Sequence, residues 1–259
     1  MLTTETAPPW VVLVPLKPLT AAKSRLDRPD RGALALAMAL DTARAVLDAG
    51  EGVVGLVVVT DDPRARRALT ELARDRSEIP AGTDSTGSGS AGGVGGTTGV
   101  GGMYGLTRTG RLLVAADEPN RGLNPALAHG AALARRIHPG CAVAAVSADL
   151  PALRPAELRR ALAAAPPSGR GVLADAVGTG TVLLSAAPGA SLCPSFGPGS
   201  FEAHLDSGAV DLTALLADTV PGLRRDVDTV ADLNTARALG LGPATARALA
   251  ADPSPRTAA

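Results

Sequence analysis

Val11-Val12-Leu13-Val14-Pro15-Leu16-Lys17-Pro18-Leu19-Thr20-Ala21-Ala22-Lys23-Ser24-Arg25-Leu26 begins as a strand and ends as a cationic loop. Its first four residues form a continuous apolar run, the pattern of a strand buried on both faces. The loop that follows carries Lys17, Lys23 and Arg25. These are the two lysines of the chain, and every other basic side chain among its 25 is arginine. Two lysines at nearby positions in so arginine-rich a chain read either as a chance pair on a solvated loop or, the reading favoured here, as a need for a compact ammonium that can follow a phosphate, where arginine would impose a planar fork.

Outward from this segment, strand and helix signals alternate. Residues 33–49 have helix-forming composition and stop at Gly50, a C-cap signal. A second β-branched strand is expected over 53–60, broken by Asp61-Asp62-Pro63, then a helix over 64–74. A third strand is expected over 112–115, a helix over 124–137, a fourth strand over 141–147 and a helix over 155–165. This alternation predicts an α/β fold, with a mostly parallel sheet, right-handed crossovers and flanking helices. In the second half, 171–176 and 181–185 read as strands joined by a Gly178-Thr179-Gly180 turn. A helix holding Phe201, His204 and Leu205 follows Phe196-Gly197-Pro198-Gly199-Ser200. Residues 223–226 read as a last short strand. Thr229 and Asp232 then form a capping pair at the start of a final helix. Residues 1–259 read as one domain. Residues 81–105 are dominated by Gly, Ser and Thr and read as a flexible insertion outside the fold. The Ala/Pro-rich tail beyond Leu249 is expected to fray.

Bulk properties exclude several classes. The 259 residues carry zero formal net charge, so nothing draws the chain generally to nucleic acid or an anionic membrane. No apolar stretch reaches the roughly 20 residues needed to cross a bilayer. The polar N-terminus with Glu5 is unlike a signal peptide, and we expect a cytoplasmic protein. Cys141 and Cys193 are isolated from each other and from histidine spacings, so neither a disulfide framework nor a zinc site is indicated. The aromatics are Trp10, Tyr104, Phe196 and Phe201, too few to suggest stacking of single-stranded bases.

The fourth strand ends in Val146-Ser147-Ala148-Asp149-Leu150-Pro151. A carboxylate at the carboxyl end of a parallel strand lies where ligands bind, so Asp149 is a candidate for holding a divalent cation against a phosphate, or else opens the turn before Pro151. Arg225-Asp226-Val227-Asp228-Thr229 supplies a second carboxylate. Asp226 and Asp228 would share a face of an extended strand, and Mg²⁺ is held by one or two carboxylates plus substrate phosphates. Asp226 is the stronger metal candidate, because Asp228 also suits a helix cap. Gly178-Thr179-Gly180-Thr181 and Phe196-Gly197-Pro198-Gly199-Ser200 both read as anion cradles, with Thr181 and Ser200 adding hydroxyl donors. Asn124 opens a helix and reads equally as a cap or as a reader of a nucleobase edge. His129, His138 and His204 read as surface or packing residues.

Taken in order, Leu13-Val14-Pro15-Leu16-Lys17, Ala22-Lys23-Ser24-Arg25-Leu26, Gly122-Leu123-Asn124, Ala148-Asp149-Leu150-Pro151-Ala152-Leu153 and the Gly-Thr-Gly-Thr, Phe-Gly-Pro-x-Ser and Asp-Val-Asp-Thr motifs resemble the CofC/FbiD family. The resemblance covers nearly the whole chain except 81–105. It implies the nucleotide-diphospho-sugar transferase (GT-A-like) fold. It also implies guanylyl transfer from GTP to the phosphate of a three-carbon acid in coenzyme F-420 biosynthesis, with release of diphosphate. The acid is phosphoenolpyruvate in actinobacterial members and 2-phospho-L-lactate in archaeal ones. The Arg/Ala-rich composition favours phosphoenolpyruvate. Carried over, the acceptor contacts fall on Thr181, Gly197 and Ser200, and the metal carboxylates on Asp149 and Asp226. Lys17, Lys23 and Arg25 would hold the triphosphate, with Asn124 at the nucleotide. Two features depart from the family pattern: the glycine-rich insertion, and Gly199 where Asp is common.

The implied chemistry is in-line attack of an already ionised phosphate on the α-phosphorus, which needs no general base and suits motifs free of histidine. Mg²⁺ is the expected cofactor, GTP and phosphoenolpyruvate are the expected partners, and the product would be handed to the enzyme that consumes it. Rival readings are a 2-phospho-L-lactate guanylyltransferase, a molybdenum-cofactor-type nucleotidyltransferase with a larger acceptor, and a nucleotide-binding regulator without catalysis.

Overall fold

A computed structural model describes residues 7–20, 23, 26, 30–77, 106–118 and 120–251. Arg25 and the insertion proposed for 81–105 lie outside the described residues, as does the tail from 252 onward. In chain order the elements are β1 (Trp10–Pro15), α1 (Arg31–Leu47), β2 (Val53–Val59), α2 (Pro63–Ser77), β3 (Thr107–Thr109), β4 (Leu112–Ala115), α3 (Leu123–Ile137), β5 (Ala142–Val146) and α4 (Pro155–Ala163). They continue with β6 (Arg170–Ala174), β7 (Thr181–Ala186), α5 (Ser200–Asp206), β8 (Val210–Asp211), α6 (Thr213–Leu216), α7 (Pro221–Arg224), α8 (Val230–Leu239) and α9 (Pro243–Ala250). No described helix is long and apolar enough to cross a membrane.

Among the described residues the strands form one sheet in the order β3-β4-β2-β1-β5-β7-β6-β8. Strand β1 is central and parallel to both β2 and β5. Its alternate residues enter two separate cores: Val12 and Val14 pack with Ala35, Ala39, Ala43 and Val46 of α1, and Val11 and Leu13 pack with Ala126, Leu127 and Ala131 of α3. A strand covered on both faces has no polar side, which is why its sequence is a continuous apolar run. Small residues let α3 approach closely; a Cβ on Gly130 would lie 3.1 Å from Val59 Cγ2.

The sheet is mostly parallel, as expected: β1–β2, β1–β5, β2–β4 and β6–β8 run parallel, while β7 is antiparallel to both β5 and β6, and β3 is antiparallel to β4. The short connection 175–180 forces the antiparallel β6–β7 pair, because a parallel pair needs a long crossover. Reversal of β7 matters for the site, since it places Thr181 at the carboxyl end of β5, where Val146 pairs with Leu183. One expectation is corrected: the strand expected over 223–226 is instead the helical turn α7 followed by irregular chain. Pro221 stands in its first turn, and the buried Glu157 carboxylate accepts from the N–H groups of Gly222 (3.2 Å) and Leu223 (2.8 Å). A buried acceptor aimed at the free donors of a turn outweighs a weak strand propensity.

At the other end, Thr229 and Asp232 form the expected capping box of α8. Helix α9 is ordered by a contact invisible in its own sequence: the Asp41 carboxylate of α1 accepts from Ala244 N (2.9 Å) and Thr245 N (2.8 Å). A third apolar cluster joins Leu26, Leu34, Met38, Val227 and Leu233. It anchors the cationic loop and the 225–228 segment to the same patch of α1 and α8.

Candidate active site

The carboxyl ends of β1 and β5 open into a cleft of about 270 Å³ whose lining includes Lys17, Lys23, Ser147, Asp149, Phe196 and Asp228. Asp149 is held there by the buried Thr42 of α1, whose hydroxyl donates to Ala148 O (3.2 Å) and accepts from Leu150 N (3.2 Å). The Asp149 carbonyl accepts from Val227 N (3.2 Å), which docks the 225–228 segment alongside. Lys17 stands exposed at the rim.

Lys23 is the centre of the cluster. Its side chain is nearly buried, and its Nζ donates to Asp149 Oδ2 and to Asp228 Oδ1, the latter at 2.9 Å. Burial alone would lower its pKa, but the two carboxylates outweigh burial and hold it above the ordinary lysine value. Lys23 is therefore a fixed positive charge. Its φ of 55° is in the left-handed region, which side chains other than glycine rarely adopt.

Asp226 lies in the same field. Burial, and then the charges of Asp149, Asp175 and Asp228, raise its pKa to about 7. One ammonium among these four carboxylates leaves a local excess of negative charge. Hard oxygen donors with uncompensated charge suit a divalent cation. No three His, Cys, Asp or Glu side chains converge as a complete metal cage among the described residues.

Of the expected acceptor residues, Ser200 N donates to Gly197 O (3.1 Å) and Thr181 Oγ1 meets His204 of α5; none of the three is among the residues lining the cleft, and the glycine motifs make other contacts than their sequence suggests. The N–H groups of Gly178, Thr179 and Gly180 all donate to the Asp175 carboxylate, at 2.6, 3.1 and 3.0 Å. That turn is internally satisfied and is not an open anion cradle. Gly180 is required there because a Cβ would collide with Asp175 Oδ2. Phe201 N donates to Thr179 O (3.2 Å), drawing the first turn of α5 against the hairpin end. Thr181 and Ser200 are both buried. Ser200 is not the cap of α5: Gly199, with φ of 68°, holds the N-cap position and no side chain caps it. Gly197 has φ of 149°, a conformation open to glycine.

Asn124 neither caps α3 nor faces an open edge. Its Oδ1 accepts from Phe196 N (2.7 Å) and its Nδ2 donates to Phe196 O (3.1 Å), so it clamps the loop before α5. In the structure Asn124 positions Phe196, a contact that neither of its two sequence readings, helix cap or base-edge reader, describes.

No family model matches the chain. A phosphoenolpyruvate guanylyltransferase of Frankia casuarinae is 55% identical over 243 residues, covering 93% of this chain and 77% of the relative. One from Streptomyces scabiei is 48% identical over 246 residues, covering 93% of this chain and 96% of the relative. The chain belongs to the phosphoenolpyruvate guanylyltransferase family. A solved nucleotidyl transferase from Methanothermobacter shares the fold, with a TM-score of 0.50 at 18% identity over 89% of this chain and 97% of that one.

Several residues that shape the surroundings of this cleft escape the sequence reading. Thr42, Glu157 and Asp175 sit in or beside apolar stretches and look like ordinary helix or turn polar groups. Each is buried and bonded to main chain of another segment or turn. The one signal available is a polar residue at a core position of an otherwise apolar face, which has to find a partner.

Proposed function

We propose that this chain transfers GMP from GTP to phosphoenolpyruvate, releasing diphosphate and supplying an activated intermediate to the enzyme of coenzyme F-420 biosynthesis that consumes it. The observation that carries the reading is the Lys23 ammonium locked between Asp149 and Asp228, with Asp226 beside them, at the carboxyl ends of β1 and β5. A site so organised handles polyphosphate by charge and position and needs no titrating base. The attacking phosphate oxygen of a phosphorylated acid is already ionised near neutral pH.

In this reading Lys17 and Lys23 hold the triphosphate, joined by Arg25. Lys23 stays protonated throughout, so it neutralises developing charge and cannot act as a base. Asp149 and Asp226 are the residues that would hold Mg²⁺, which supplies charge neutralisation on the phosphate oxygens when bound. Thr181, Gly197 and Ser200 receive the acceptor. Asn124 contributes to the nucleotide side through the position of Phe196. The expected location is the cytoplasm, where both substrates are found.

The test crosses phosphoenolpyruvate and 2-phospho-L-lactate with the four common nucleoside triphosphates, with and without Mg²⁺, and measures diphosphate release. The expected result is magnesium-dependent release with GTP and phosphoenolpyruvate, at least ten-fold faster than with any other pair. Faster turnover with CTP or with 2-phospho-L-lactate would reassign the substrates. GTP binding without any release would favour a regulator.

A further inference from the structure

His204 of α5 is fully buried, and two of its ring contacts fix its state. Ser195 N–H donates to its Nε2 at 2.8 Å. A backbone N–H can only donate, so Nε2 carries no proton. The neutral ring must then hold its proton on Nδ1, which lies 2.9 Å from Thr181 Oγ1. Burial and then Arg170 lower the His204 pKa to about 4, against a backbone hydrogen bond at Ser200 that raises it, so the ring is neutral at physiological pH. Thr181 Oγ1 is thereby an acceptor from the ring, and its own hydrogen must be donated elsewhere.

The same imidazole ties together the segments around it. Phe196 packs edge-on against it, with ring centroids 5.2 Å apart and planes at 71°. Phe196 in turn lines the cleft and is clamped by Asn124. One buried side chain thus links the start of β7, the loop that leads to Gly197, and α5.

We propose that His204 is a positioning residue for the acceptor, its Nδ1–H fixing the Thr181 hydroxyl so that the hydroxyl proton is presented to the phosphorylated acid. This rests on the assignment of Thr181 to the acceptor site. The histidine touches no substrate. It sets the direction of a donor, and a hydroxyl that is free to rotate would spend part of its time facing away.

Two substitutions separate the two bonds. In His204→Gln the amide can reach the Nε2 position and keep Ser195, but leaves Thr181 without its donor. In His204→Asn the amide sits near Nδ1 and can keep Thr181 while losing Ser195. KM for phosphoenolpyruvate is expected to rise about ten-fold in H204Q and less than three-fold in H204N, with KM for GTP within two-fold in both. T181V should raise KM for phosphoenolpyruvate at least as much as H204Q, and the T181V/H204Q double variant should be no worse than T181V alone. Equal losses in H204Q and H204N, or multiplied losses in the double variant, would overturn the proposal. An unchanged KM for phosphoenolpyruvate in T181V would overturn the acceptor assignment beneath it. A wild-type measurement needs no variant to fold: ¹⁵N-histidine NMR should find the His204 proton on Nδ1 and its resonance shifted on saturation with phosphoenolpyruvate. A proton on Nε2, or no shift, would also overturn the proposal.

Discussion

Replacing Asp226 by asparagine should make the metal-free protein more stable while destroying its activity. Burial and three neighbouring carboxylates raise the Asp226 pKa to about 7, against an ordinary value near 3.8. Between those two values the folded state holds a proton that the unfolded state has released. Stability is therefore lost as pH rises from about 4 to 7, and the full cost persists above 7. Three pH units correspond to at most about 4 kcal/mol at 1.36 kcal/mol per unit. The carboxyl is only partly buried and its repulsion is screened, so we expect about 1–2 kcal/mol to be realised. For a domain of this length that is a rise in melting temperature of roughly 2–8 °C. The assay is a series of thermal melts in chelator from pH 4 to 8.5, wild type beside D226N, with diphosphate release measured in parallel. The gain in D226N should be absent at pH 4, grow through pH 7 and then level off. Added Mg²⁺ should raise the melting temperature of the wild type at pH 8 and leave that of the variant nearly unchanged. A variant less stable than wild type at pH 8, or a gain independent of pH, would refute the reasoning.

Asp149→Asn should lower turnover by roughly three decades or more while the fold survives, because Lys23 keeps Asp228 as a partner; near-normal magnesium-dependent turnover would remove Asp149 from the metal site. Gly222→Ala should cost about 2–3 kcal/mol, because its Cβ would collide with Ala152 O and lie 2.7 Å from Glu157 Oε2; an unchanged melting temperature would show that α7 can shift without consequence for the segment bearing Asp226.

The strand–helix alternation was legible because burial on both faces leaves a local trace. Val11–Val14 is continuously apolar, and the Leu112–Ala115 strand and the Thr229–Asp232 capping box followed from short-range pattern alone. The cationic loop and Asp149 were legible for a similar reason: the carboxyl end of a parallel strand is a position that the order of residues marks. The three-dimensional structure alone decided the rest. Whether β7 runs with or against β5 depends on the partner it finds, and this put Thr181 beside the carboxyl end of β5. Residues 221–224 coil into a helical turn, in place of a strand over 223–226, because Glu157, 65 residues away from Gly222, supplies an acceptor. The glycines at 178 and 180 read as an open cradle until Asp175 is seen filling it. A polar side chain in a sequence announces only that it must find a partner. Which partner it finds, and therefore what His204, Asn124 and Lys23 do, is fixed by contacts between segments that are distant in the chain.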